Sequence, residues 1–192
     1  MTAPAWAVRA ADESVSTTLS AAPTLGTGRL VAIDGPAGSG KTTLAEAVFL
    51  QATTGGGAAR VVHLDDLYPG WGGLREGVRR LEEQLLRPHA SGSAGRFRRW
   101  DWIAGREADW VVVPPVDLLV VEGCGSGASS YADLLTTLVW VEVPRTTRLA
   151  RGLARDGEGL RDRWTAWMSD EAGLFADERT RERADLIVTG SN

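Results

Sequence analysis

The stretch Gly35-Pro36-Ala37-Gly38-Ser39-Gly40-Lys41-Thr42, continued by Thr43, decides the reading of this chain. It fits G-x-x-x-x-G-K-[ST] at every defined position. The glycines permit a turn whose N–H groups point inward as a nest for an anion. A helix opening at Lys41–Thr42 adds the positive end of its dipole. Such a loop binds a nucleoside triphosphate: the backbone cradles the phosphates, Lys41 reaches the β- and γ-phosphates, and the Thr42 hydroxyl is a candidate Mg2+ ligand. The flanks agree. LVAIDG (30–35) is a short apolar strand ending in glycine, and Leu44, Ala45, Val48 and Phe49 recur at helical spacing behind the loop.

Working outward, VVHLDD (61–66), DLLVVEG (117–123), LVWVEV (138–143) and residues 184–188 read as further strands. Leu74, Val78, Leu81 and Leu85 mark one face of a helix that stops before Pro88. Residues 131–137, 145–155 and 160–183 read as helices, TTGGGAA (53–59) as a loop and SGSAG (91–95) as a turn. Strands alternating with helices predict an α/β fold: a P-loop NTPase-type three-layer sandwich with a five-stranded parallel sheet flanked by helices. The pattern predicts one domain over 29–192 with a small lid around 148–163. Residues 1–28, rich in Ala, Ser and Thr, read as a loose lead-in with a short helix around 5–20.

Composition narrows the partners. A formal charge of −4 and a pI near 5.3 give no overall footprint for nucleic acid. The apolar runs are too short to span a bilayer, and the N-terminus lacks the apolar core of a signal peptide. One cysteine, Cys124, allows no disulfide within the chain and fits the cytoplasm. Of 21 basic residues a single one is lysine, Lys41. A guanine-reading N-K-x-D motif therefore cannot occur in addition to the phosphate loop.

In open parallel sheets, ligands sit beyond the carboxyl ends of the strands. Two acids end strands there. Asp65, in Asp65-Asp66-Leu67-Tyr68, would face the γ-phosphate, where it can accept a hydroxyl proton or help hold Mg2+. The alternative is that the two aspartates cap the next helix. Glu122 is a second candidate Mg2+-organising residue.

In these residues the chain resembles the uridine kinase and phosphoribulokinase-like family of P-loop kinases, from about residue 30 to about 190. The features in order are the P-loop, Asp65–Tyr68, Trp100-Asp101-Trp102, Glu122-Gly123 and an arginine-rich stretch. The resemblance implies that Asp65 is the general base and that Tyr68 contacts the acceptor. It also implies an acceptor pocket lined by Trp100 and Asp101. In the stretch that follows, Ile103-Ala104-Gly105-Arg106, Arg106 is the candidate contact, where nucleoside-specific members carry histidine. Leu67 stands where the family has an aromatic. Arg148, Arg151 and Arg155, then Asp156 and Arg161, look like the family's lid. Arg151 and Arg155 are the candidates for catalysis, Arg151 also for the nucleotide, and Arg161 for the substrate. Trp164, Trp167 and His63 read as core residues, Cys124 as a packed thiol, and Trp71 as either a turn residue or a substrate contact.

The expected activity is ATP- and Mg2+-dependent transfer of the γ-phosphate to a hydroxyl of a nucleoside or ribose-like small molecule. The competing expectation is a nucleotide-binding ATPase or switch without such an acceptor.

Overall fold

The computed structural model describes residues 3–54 and 56–190. Residues 1, 2, 55, 191 and 192, which belong to the lead-in, the 53–59 loop and the end of the domain, lie outside the described residues. The chain runs α1 (Ala5–Ser20), β1 (Arg29–Asp34), α2 (Lys41–Thr54), β2 (Ala59–His63), α3 (Leu74–Leu81), α4 (Arg87–Ala90), β3 (Gly95–Asp101), β4 (Arg106–Val113), β5 (Leu118–Glu122), β6 (Thr137–Glu142), α5 (Arg145–Asp156), α6 (Arg161–Glu178), α7 (Thr180–Arg183) and β7 (Leu186–Thr189). Short 3-10 turns cover Leu64–Asp66, Ser129–Leu134 and Glu158–Leu160.

Five strands form a parallel sheet in the order β2-β5-β1-β6-β7, as the alternation of elements predicts. Between their ends the central strands are apolar because helices cover both faces. Leu30, Val62, Leu119 and Val121 join a core with α3, the β3–β4 hairpin and α6. Val31, Ile33, Leu118, Val120, Val139 and Val141 point the other way, into a core with α1 and α2. Each fully buried leucine, such as Leu30 or Leu119, contributes about 2 kcal/mol from burial alone. Among the described residues no helix is long and apolar enough to cross a membrane.

Four features depart from the sequence pattern. The helix expected around 5–20 is there, 16 residues long, but it packs on the domain instead of belonging to a loose lead-in. Its inner face, Ala7, Ala10, Ala11 and Val15, is small enough to lie close against α2. The hydroxyls of Thr18 and Thr137 meet at 2.7 Å where α1 crosses β6. Residues 95–113, in which no strand is read from the pattern, form an antiparallel hairpin. Its outer face is largely solvated, so the apolar signal is thin: of its large apolar side chains only Phe97 and Val113 are buried.

The third departure is at Pro88, which lies inside α4 instead of ending the helix. A π-turn at Glu82–Leu86 precedes it, and the widened turn accommodates the ring and the missing N–H. The fourth is a break of the last helix at Arg179, whose left-handed conformation (φ 49°) separates α6 from α7.

Gly35 ends β1 with φ 133°, and a Cβ there would stand 2.2 Å from the Val141 carbonyl oxygen. The loop can leave the sheet at this point only as glycine. Gly35→Ala is expected to cost about 3 kcal/mol or more of stability, read from urea unfolding, through backbone strain plus the clash.

Candidate active site

The strand register sets three side chains side by side. Ile33 and His63 both lie opposite Glu122, so the ends of β1, β5 and β2 are level. Immediately beyond them lie Asp34, the P-loop and the 3-10 turn carrying Asp65. A cavity of about 860 Å³ opens over these ends. That is ample for a small-molecule ligand.

Asp34 is fully buried. Its Oδ1 accepts the N–H groups of Gly35 (2.7 Å) and Gly125 (2.8 Å), and its Oδ2 accepts that of Gly127 (2.9 Å). Burial pushes its pKa up to about 6, against the three backbone donors and Lys41, so it is ionised at pH 7. It ties the start of the P-loop to the loop after Glu122. The sequence reading did not single it out. The available signal was a lone carboxylate closing an otherwise apolar strand.

Lys41 is buried beneath the loop, its Nζ donating to the carbonyls of Gly35 (2.8 Å) and Pro36 (3.0 Å). Burial opposes its charge, but the carboxylates of Glu122, Glu171 and Asp34 around it raise its pKa. Ala37, Gly38, Gly40, Lys41, Thr42 and Thr43 line the cavity. Gly35, Pro36 and Ser39 lie behind that wall and shape the loop. Ser39 is fully buried.

Thr42 Oγ1 donates to Glu122 Oε1 at 3.0 Å, and the same oxygen meets His63 Nδ1 at 2.7 Å. That hydrogen bond lifts the His63 pKa above its ordinary value. His63 is half-exposed and braces Glu122 rather than filling the core. Asp65 is open to the cavity, yet desolvation there, followed by the Glu122 charge, raises its pKa. A hydroxyl and two carboxylates at the cavity floor are the hard oxygens that Mg2+ takes. Among the described residues no three His, Cys, Asp or Glu side chains form a metal cluster of their own. Thr42, Glu122 and Asp65 are the side chains here that could hold Mg2+.

The Asp65 end of the cavity is more aromatic than the motif pattern suggests. Trp71 meets the edges of Trp102, Trp164 and Trp167 at centroid distances of 5.7, 6.1 and 6.1 Å. All four indoles line the cavity. Trp102 Nε1 donates to the Asp65 carbonyl at 2.9 Å, fixing the turn that carries the carboxylate. Trp164 and Trp167, read from spacing as core, are nearly buried and also form this wall. Tyr68 is on the wall too, but its hydroxyl is committed to the Cys124 carbonyl at 2.8 Å. The residue is fully buried, so it shapes the wall from behind.

Several candidates lie off the wall. Trp100 packs over Gly70. Asp101 accepts the N–H groups of Ile103 and Ala104, both at 2.9 Å, and closes the hairpin turn. Arg106 pairs with Asp101 in the hairpin and is exposed. Arg161 holds Glu158 in solvent.

In the arginine stretch, Arg148 is buried and spent on Glu171 (2.7 Å) and the carbonyls of Val143 and Ala37 (both 3.1 Å). It anchors α5 to α6 and the loop rather than facing phosphate. Arg151 lines the cavity and reaches the Gly38 carbonyl at 3.3 Å. Arg155 also lines it, held at 2.7 Å by Asp156, which in turn accepts Trp164 Nε1 at 3.0 Å. Arg163, which the motif reading did not name, completes the basic edge. Cys124 is buried and its thiol is pushed well above its ordinary pKa by desolvation, so it stays a packed, protonated group.

No family model and no curated protein matches the chain. Solved structures do. A protein described as a possible uridine kinase from Bacillus stearothermophilus superposes with a TM-score of 0.67 at 22% identity, over 94% of this chain and 98% of that one. The D-glycerate 3-kinase of Cryptococcus neoformans gives 0.61 at 14% identity, over 91% and 90%. The chain has the fold of these two proteins, and the likeness extends over more than nine-tenths of its length.

Asp34→Asn places an amide NH2 against backbone donors whichever way it turns. It is expected to lower stability by about 2–4 kcal/mol, measured by chemical unfolding. Glu171 is a second such carboxylate: Oε2 accepts Ala37 N–H (2.7 Å) and Oε1 accepts Arg148 Nη1 (2.7 Å), so Glu171→Gln likewise sets an amide NH2 against a donor.

Proposed function

We propose that the chain is a cytoplasmic kinase that moves the γ-phosphate of ATP to a hydroxyl of a small molecule bearing a flat ring or sugar face, of the nucleoside or ribose-like class. The observation that carries this reading is the position of Asp65. Its carboxylate stands on the cavity wall beside the P-loop, next to Thr42 and Glu122, and under a box of four indoles. A phosphate loop alone would serve a switch or an ATPase equally well. An aromatic chamber beside a carboxylate of raised pKa is what an acceptor hydroxyl needs. The neighbours support a kinase of a small molecule, since they are described as a possible uridine kinase and a D-glycerate 3-kinase.

In this account the P-loop amides and Lys41 bind the triphosphate. Asp65 takes the proton of the acceptor hydroxyl as its oxygen bonds to the γ-phosphorus, and the bond to the bridging oxygen breaks to release ADP. Thr42, Glu122 and Asp65 would hold Mg2+, which would supply neutralisation of phosphate charge. Arg151 and Arg155 face the same space and offset charge that spreads over the transferring group. The indoles exclude water, which would otherwise compete as acceptor.

The test is ADP release from Mg·ATP across a panel of nucleosides, ribose derivatives, vitamins and sugar alcohols. ADP formation that depends on an acceptor and yields its phosphate ester supports the kinase. Hydrolysis indifferent to any acceptor contradicts it. Asp65→Asn is expected to slow transfer by about 10²–10⁴-fold with ATP affinity nearly intact. A near-native rate in that variant removes Asp65 as the base.

The pH profile gives an independent check. Asp65 accepts a proton only when ionised, and its pKa is raised, so the rate falls as pH drops through a value above its ordinary 3.8. An acid limb at or below that ordinary value would contradict the assignment.

A further inference from the structure

We propose that Trp6, in the first turn of α1, is the surface on which the base of the bound nucleoside triphosphate stacks. The inference rests on the reading of this cavity as a nucleotide site, but not on phosphoryl transfer.

The cavity is built from two sides of the sheet. Its acceptor end holds Asp65 and the indoles of Trp71 and Trp167, which belong to the core shared with α3 and α6. Its other wall comes from the opposite face, where Trp6 packs with α1 and α2. In a loop of this kind the lysine reaches the β- and γ-phosphates, so the terminal phosphate lies at the Lys41–Thr42 end, toward Glu122 and Asp65. The triphosphate then runs back across the loop toward Thr43, and its nucleoside emerges on the side away from Asp65. The residues lining the cavity there are Pro4, Trp6, Thr43 and Arg151. Trp6 is the aromatic ring among them.

The ring is held rigidly. Its edge lies 3.3 Å from where a Cβ on Gly40 would stand, flush against the phosphate loop. Glycine at this loop position, with φ 102°, leaves room for it. The Pro4 carbonyl closes the first turn of α1 by accepting Ala7 N–H (2.9 Å) and Val8 N–H (3.2 Å). The buried Ala7, Ala10 and Ala11 seam then fixes the whole helix on α2. The indole stays half-buried, with part of its surface open to the cavity. A flat, fixed π-surface at the nucleoside end suits a base, and stacking of this kind is tolerant of which base it is.

The test is calorimetric binding of Mg·ATP and of Mg·tripolyphosphate, which has the phosphates and no base. Trp6→Leu keeps apolar bulk over α2 and removes the π-face, and Trp6→Phe keeps a smaller one. Trp6→Leu should bind Mg·ATP about tenfold more weakly and tripolyphosphate within about twofold of wild type, the size of one base–aromatic stack. Trp6→Phe should recover most of the loss. Unchanged ATP affinity in Trp6→Leu overturns the proposal. Equal weakening of both ligands also overturns it, because Trp6 would then act only by supporting the loop. A wild-type protein that binds Mg·ATP yet phosphorylates no acceptor defeats the kinase reading and leaves this one standing.

Discussion

The carboxylate of Asp34 accepts three backbone N–H groups, one from its own strand end and two from the loop beyond β5. Those bonds join the P-loop to the segment that carries Glu122. A buried carboxylate without such donors would be costly, and the donors without it would be unsatisfied. Each side therefore requires the other, and the loop geometry follows. Gly35 turns out of the sheet, Lys41 folds beneath the loop, and Thr42 comes within hydrogen-bond reach of Glu122.

Charge is distributed unevenly around that frame. Lys41 is close to four acids or potential acids: Cys124, Glu122, Glu171 and Asp34. Glu171 is itself balanced by Arg148 at 2.7 Å. Glu122 is shared between Thr42 and His63, and its charge helps keep the Asp65 pKa high. An acidic floor of this kind suits a cation partnered by phosphates, with the arginines of α5 closing from above. The same raised pKa makes Asp65 a better proton acceptor than an ordinary exposed aspartate.

The fold was legible because its strands are buried on both faces and its loop has a defined spacing. The parallel order of β5, β1 and β6 follows from those runs. The β3–β4 hairpin was not legible, since one face is in water and Phe97 and Val113 alone carry its apolar signal. Within the site, Lys41, Thr42, Asp65 and Glu122 could be placed by motif and strand end. Trp102 and Trp100 could not be told apart, because only the hairpin turn decides which indole reaches Asp65. His63 needed the register between β2 and β5, and Arg148 needed its buried partner on α6. Trp6 needed the contact of α1 with the loop, about 34 residues downstream, which no local pattern encodes.

The most direct test of the central claim follows the phosphate itself. The protein is incubated with γ-labelled Mg·ATP and a mixture of small hydroxylated metabolites, and the label is traced. The account predicts label in a small-molecule phosphate ester, lost in Asp65→Asn. Label appearing solely as inorganic phosphate, or remaining in ATP, would contradict it.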